Sequence, residues 1–191
     1  MKKILTLGIL SLFSIAMFTS CEDGGVTISV DKEQAIVNFV LTSGTNGTWS
    51  KTDTQEALNI DQFLLDQGYK REDLKSVYLK SGKLQIQNES GEIATSGQGF
   101  DIISNINMSF TPPSSDAIVV LVNESPLESE MYEYSYPQTA IDAIAETDLL
   151  TLVEAGFDYN VSFDLAEEIT EDLPMEVIWV LEINLNAVDS E

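Results

Sequence analysis

Val177-Ile178-Trp179-Val180-Leu181-Glu182-Ile183-Asn184-Leu185 is the stretch whose reading decides the fold class. Successive side chains of a strand point to opposite faces. Val177, Trp179, Leu181, Ile183, Leu185 and Ala187 therefore share one face, and Glu176, Ile178, Val180, Glu182, Asn184 and Asn186 share the other. One face is wholly apolar, and the middle of the other is apolar too. Such a strand is predicted to lie at the centre of a sheet, covered on both sides.

The same period of two recurs upstream. Ala35, Val37, Phe39 and Leu41 alternate with Ile36, Asn38 and Val40. Ile106, Met108 and Phe110 alternate with asparagines and serine, as do Val161, Phe163 and Leu165 with Asn160, Ser162 and Asp164. Val77-Tyr78-Leu79 and Leu84-Gln85-Ile86 flank Ser81-Gly82, which predicts a hairpin with a tight turn. Ala117 to Val122 predicts a strand buried on both faces. Two segments have helical spacing instead: Ile60 to Tyr69, and Thr147 to Phe157. Each starts near an Asp and closes on Gly plus an aromatic, the glycine suiting the left-handed position after a helix. The chain is thus predicted to be mainly β, an antiparallel β-sandwich with two short helices. Residues 26–191 read as a single domain, with Ser125 to Pro137 its best candidate for a protruding loop.

Composition narrows the function. The chain has 191 residues, with 9 Lys and Arg against 32 Asp and Glu, a net charge of −23. Nucleic acid is a poor partner, because binding it requires a basic patch that displaces counterions. His is absent, which removes a Ser-His-Asp triad and His-ligated zinc. A single Cys removes an intramolecular disulfide and any CxxC site.

That Cys has a telling position. Met1-Lys2-Lys3 is a short positive segment, and Ile4 to Phe18 follows without a charge. A helix of that length rises roughly 22 Å, short of the roughly 30 Å hydrocarbon core, so it reads as a secretory signal rather than a spanning helix. Phe18-Thr19-Ser20-Cys21 resembles a bacterial lipobox, with Phe18 where Leu is usual. The resemblance implies cleavage before Cys21 and lipidation of that residue, with a palmitate-type acyl chain among its lipids. Residues 1–20 are then a lipoprotein signal peptide and 21–25 an acidic tether. Glu22-Asp23 directly after the Cys resembles the export signal of surface-exposed lipoproteins in Bacteroidota. It implies a lipid anchor in the outer membrane, with the cell surface as a possible destination. The body resembles the small β-sandwich lipoproteins of that group in organisation only.

Within the body, binding candidates are few. Tyr132-Glu133-Tyr134-Ser135-Tyr136, if extended, sets three rings on one face, a possible platform for a glycan or peptide. The alternative is an edge strand packing those rings on the core. Trp49 follows a loop-like run, Ser43 to Thr48, and either joins such a platform or covers one end of the sandwich. Glu167, Glu168, Glu171 and Asp172 form an acidic turn without a calcium-loop pattern. No catalytic residue, metal ligand or cofactor is assigned. The reading is of a non-enzymatic, lipid-anchored envelope protein, structural or interacting, whose partner is the membrane and a possible envelope protein or glycan. The alternative is a glycan- or peptide-binding surface lipoprotein.

Overall fold

The computed structural model describes residues 27–58, 60–113, 118–123 and 132–186. The signal segment 1–20, the tether 21–25 with Cys21, Ala117, Ala187 and the 125–131 part of the expected loop lie outside the described residues.

The elements run β1 (Thr27–Leu41), β2 (Thr48–Gln55), α1 (Asp61–Asp66), β3 (Leu74–Ile86), β4 (Ile103–Thr111), β5 (Ile118–Asn123), β6 (Glu133–Ser135), α2 (Gln138–Asp142), α3 (Leu150–Ala155), β7 (Phe157–Leu165) and β8 (Leu173–Asn186). One sheet has the order β1-β8-β3-β6 and the other β2-β7-β4-β5. Every pairing is antiparallel. The chain crosses between sheets at each connection except β4 to β5. That is the strand order of an eight-stranded jelly roll, a form of the expected antiparallel sandwich.

The strand that opens this reading sits where its pattern puts it. β8 is paired on one side with β1 and on the other with β3. Its inward row, Val177, Trp179, Leu181, Ile183 and Leu185, is buried against β7 and β4 of the facing sheet. Trp179 meets Phe110 edge-on, ring centroids 4.6 Å apart, and stacks near Phe157 at 6.4 Å. Ile178 is also buried, on the outward face and apart from the main core.

Four local expectations are corrected. Ser81-Gly82 is not a turn: β3 runs unbroken through it, with a bulge against β8 between Leu79 and Ser81. Gly82 lies opposite Trp179, and a Cβ there would run into the Tyr136 ring. The glycine answers a close approach inside the sandwich, not a reversal of the chain. In β1, a bulge between Ala35 and Val37 turns Ile36 inward and leaves Ala35 exposed, inverting the expected alternation before that point. β5 is an edge strand, and Val122 is 48% exposed, not buried on both faces. A third helix, α2, follows Pro137; at five residues it is too short to show a helical period.

Both expected helices are present, and each closes on a glycine of positive φ, Gly68 at 82° and Gly156 at 76°. Asp148 steadies the start of α3, its Oδ1 accepting from the backbone N–H of Leu150 and of Val77, each at 3.0 Å.

Two outcomes follow from this packing. Trp179→Ala is expected to destabilise the chain by roughly 3–5 kcal/mol, the usual cost of emptying a buried aromatic site, read as a fall in the denaturant midpoint. Gly82→Ala should cost about 1–3 kcal/mol through overpacking. Pairing it with Tyr136→Leu should cost less than the sum of the two single changes, since each relieves the other's clash or void.

Candidate functional site

The antiparallel register places three connections at one end of the sandwich. Leu41, the last residue of β1, pairs with Leu173, the first of β8, and Ile86, the last of β3, pairs with Met175. The connections 42–47, 87–102 and 166–172 therefore meet, at the end opposite Thr27.

They are stitched into one surface. The Gly44 N–H donates to the Ile169 carbonyl at 2.8 Å, and the Ile169 N–H to the Thr45 carbonyl at 2.9 Å. The Ser43 N–H donates to Asp172 Oδ1 at 2.8 Å. Gln98 ties the third connection in: its Nε2 donates to the Glu168 carbonyl at 3.0 Å, and its Oε1 accepts the Thr170 N–H at 2.6 Å. Ile169 is fully buried in the core while its acidic neighbours Glu167, Glu168, Glu171 and Asp172 stay exposed. What reads in sequence as a solvated acidic turn is pinned by one apolar residue.

A cleft of about 500 Å³ opens here. Its floor is Ile86, Ala94 and Leu173, and its walls carry Thr95, Ser96 and the carboxylates of Glu89, Glu171 and Asp172. The three amides at its rim are engaged in the fold. Gln87 Nε2 donates to Glu176 Oε2 at 2.8 Å, Asn88 Oδ1 accepts the N–H groups of Ser90 and Glu92, and Gln98 bridges two loops. Hydrogen-bond acceptors dominate what is left, which suits binding of a donor-bearing ligand. Among the described residues, no group of three His, Cys, Asp or Glu converges to hold a metal ion.

The expected aromatic platform is not formed, and the edge-strand alternative describes what is seen. Tyr132, Tyr134 and Tyr136 do share a face, but it is the inner one. β6 pairs with β3, Tyr134 opposite Leu84, and so turns these rings inward. Tyr136 is 7% exposed; its hydroxyl accepts the Trp179 indole N–H at 3.3 Å and points to Met108 Sδ at 3.8 Å. Burial pushes its pKa well up. Tyr134 is half-buried, its ring centroid 6.0 Å from that of Phe100. Tyr132 is half-buried too, its hydroxyl donating to the Gly97 carbonyl at 3.1 Å. Trp49 is on the other sheet and stacks between Phe39 and Phe163, at 5.3 and 5.7 Å. It covers the side of the sandwich where β1 faces β2, away from β6.

The comparisons with known proteins add little. No protein-family model matches the chain, and no curated protein matches it. Among solved structures it is similar to chains from Desmodium yellow mottle tymovirus (11% identity, 92% of this chain and 98% of that chain, TM-score 0.33). Turnip yellow mosaic virus (11%, 94% and 93%, TM-score 0.33) and tobacco necrosis virus (12%, 95% and 90%, TM-score 0.32) are alike at the same level. Likenesses this distant carry no weight for function.

Gln98 was invisible as a site residue in sequence, since nothing in its neighbourhood marks it. Ile169 had one signal, an apolar residue alone in an acidic run. Gln98→Ala should remove two bridging hydrogen bonds, worth roughly 0.5–1.5 kcal/mol each. The Thr170 amide is then expected to exchange with deuterium much faster while β8 amides around Trp179 keep their protection. Unchanged exchange at Thr170 would show that the loop end is held without this side chain.

Proposed function

We propose that the chain is a lipid-anchored envelope protein that holds an ordered loop end away from the membrane as an interaction module. The observation that carries the reading is polarity along β1. This strand begins at Thr27, shortly after Cys21, and delivers the chain to the loop end at Leu41. At about 3.3 Å per residue, fifteen residues of strand separate the two ends by roughly 45 Å. A lipid on Cys21 would hold the helix-bearing end near the bilayer and turn the stitched loops outward.

Charge favours a body held off the surface. Without residues 1–20 the chain keeps 7 Lys and Arg against 32 Asp and Glu, 7 − 32 = −25, and a body this acidic is repelled by an anionic lipid surface. Stable attachment takes more than one acyl chain, which the lipid set implied by the lipobox would supply. The cleft at the far end, acceptor-rich and built on a rigid base, is the surface offered to a partner.

Cys21→Ala is expected to abolish incorporation of radiolabelled palmitate and to move the protein from the membrane to the soluble fraction. Retained label in that variant would overturn the anchor.

A further inference from the structure

The two outer faces of the sandwich differ in kind. The face of β1, β8, β3 and β6 carries long charged side chains, with ion pairs from Lys80 to Asp31 at 2.5 Å and from Lys83 to Glu133 at 3.2 Å. Three strands of the other sheet, β2, β7 and β4, carry none on their outer face, and Val122 of β5, opposite Asn107, is exposed beside them. From the row that joins Thr48, Asp164 and Asn105 to the row that joins Thr54, Asp158 and Thr111, every outward position of β2, β7 and β4 is Thr, Ser, Asn or Asp.

The middle of this face is neutral. Two adjacent rows pair Thr52 with Asn160 and Ser109, and Ser50 with Ser162 and Asn107. Hydroxyls and amides both donate and accept. They recur at the sheet's own spacing, about 4.8 Å across strands and about 6.7 Å along them. The outer rows are tied down. Thr54 Oγ1 donates to Asp158 Oδ1 at 2.7 Å. Thr48 Oγ1 and Asn105 Nδ2 donate to the two oxygens of Asp164, at 2.8 and 3.0 Å.

From this we infer that the outer face of β2, β7 and β4 is a binding surface for a neutral, polyhydroxylated polymer, a polysaccharide lying flat across the strands. Three properties select that occupant. The surface is flat because no side chain on it is longer than asparagine. It is pre-ordered, because short side chains and cross-strand hydrogen bonds leave little rotamer freedom to lose on binding. Its charge suits a neutral ligand. No Lys or Arg is present to attract an anion, and both carboxylates already accept hydrogen bonds from neutral donors. A protein partner fits poorly, because the aromatic and Arg anchors that dominate protein interfaces are missing. A second copy fits worse, since it would bring two bodies of charge −23 together. The inference needs neither the lipid anchor nor the loop-end cleft.

The test uses the full chain, purified in detergent and mixed with insoluble cellulose, chitin, starch and mannan, with polygalacturonate and uncoated beads as comparisons. Retention on at least one neutral polysaccharide above beads and polygalacturonate is expected. Thr52→Lys with Asn160→Lys puts two long cations side by side into one central row and should weaken that retention tenfold or more. Asn38→Lys, on the outer face of the other sheet, should leave it unchanged. Ser50→Lys with Asn107→Lys is a second pair, to be used if the first lowers the melting temperature. Cys21→Ala should bind as the parent does, which separates this inference from the anchor. The inference is overturned if no neutral polysaccharide retains the chain, if polygalacturonate does so better, or if folded lysine variants bind undiminished. A dimer in solution that the same lysines break would also overturn it, making the face a contact between copies.

Discussion

The indole N–H of Trp179 has to be satisfied inside a core that excludes water, and much of the architecture follows from how that is done. Trp179 is fully buried on the central strand of its sheet, so the donor cannot reach solvent. A buried donor left unpaired costs about 1–3 kcal/mol. The acceptor is the Tyr136 hydroxyl, brought in from the end of β6. For that ring to lie beside Trp179, the position opposite on β3 must have no side chain, and it is Gly82. The Tyr136 N–H in turn donates to the Gly82 carbonyl at 2.8 Å, so ring and backbone are fixed together. One polar atom thus accounts for a glycine inside a strand, an inward tyrosine and the docking of a three-residue edge strand.

The same constraint explains which parts of the fold were legible in sequence. Alternation exposes β7, β4 and β8, because those strands have a buried face along their whole length. It misleads wherever a bulge resets the phase. Ile36 is the extra residue in β1, and a count of two carried past it assigns Ala35 to the wrong side. In β3 the glycine reads as a turn in sequence because local chemistry cannot distinguish a reversal from a gap left for a ring. Period two places Tyr132, Tyr134 and Tyr136 on one face with certainty but does not say which face. That depends on the partner strand and on the buried indole, both remote in sequence. The loop-end cleft was not legible at all, since it is assembled from three connections remote in sequence that are bonded to one another and to β3 and β8.

Acidity is distributed unevenly over the molecule, and that matters more than its total. Carboxylates line the outer face of the β1-β8-β3-β6 sheet, where Lys80 and Lys83 pair with Asp31 and Glu133, and they crowd both ends of the sandwich. The Glu176 pKa is raised mainly by burial, with Lys83 lowering it and Glu33 raising it in smaller measure. Glu133 goes the other way, held below the usual carboxylate range mainly by the Gln85 amide, with Lys83 helping. The outer face of β2, β7 and β4 was spared this load. Strand stability alone does not require it to be, because long charged side chains on a solvated sheet face serve solubility as well as threonine and asparagine do.

The edges of the β1-β8-β3-β6 sheet are protected against self-pairing. β1 is a long edge strand, fifteen residues, and an edge of that length invites another strand to add to it. Two features work against this. The bulge at Ile36 breaks the regular row of backbone groups. Lys32 occupies an inward position, opposite Leu181, where burial lowers its pKa and its Nζ lies 5.4 Å from the Phe63 ring centroid. An inward charge tolerates the rim of a monomer, where the ammonium still reaches water. A further strand closing over it would desolvate it more, and taking a charge out of water is costly. The remaining edge of the same sheet is only three residues long, too short to template an added strand. The flat face of the other sheet is therefore open to a partner of different chemistry while the edges beside β1 and β6 resist self-pairing.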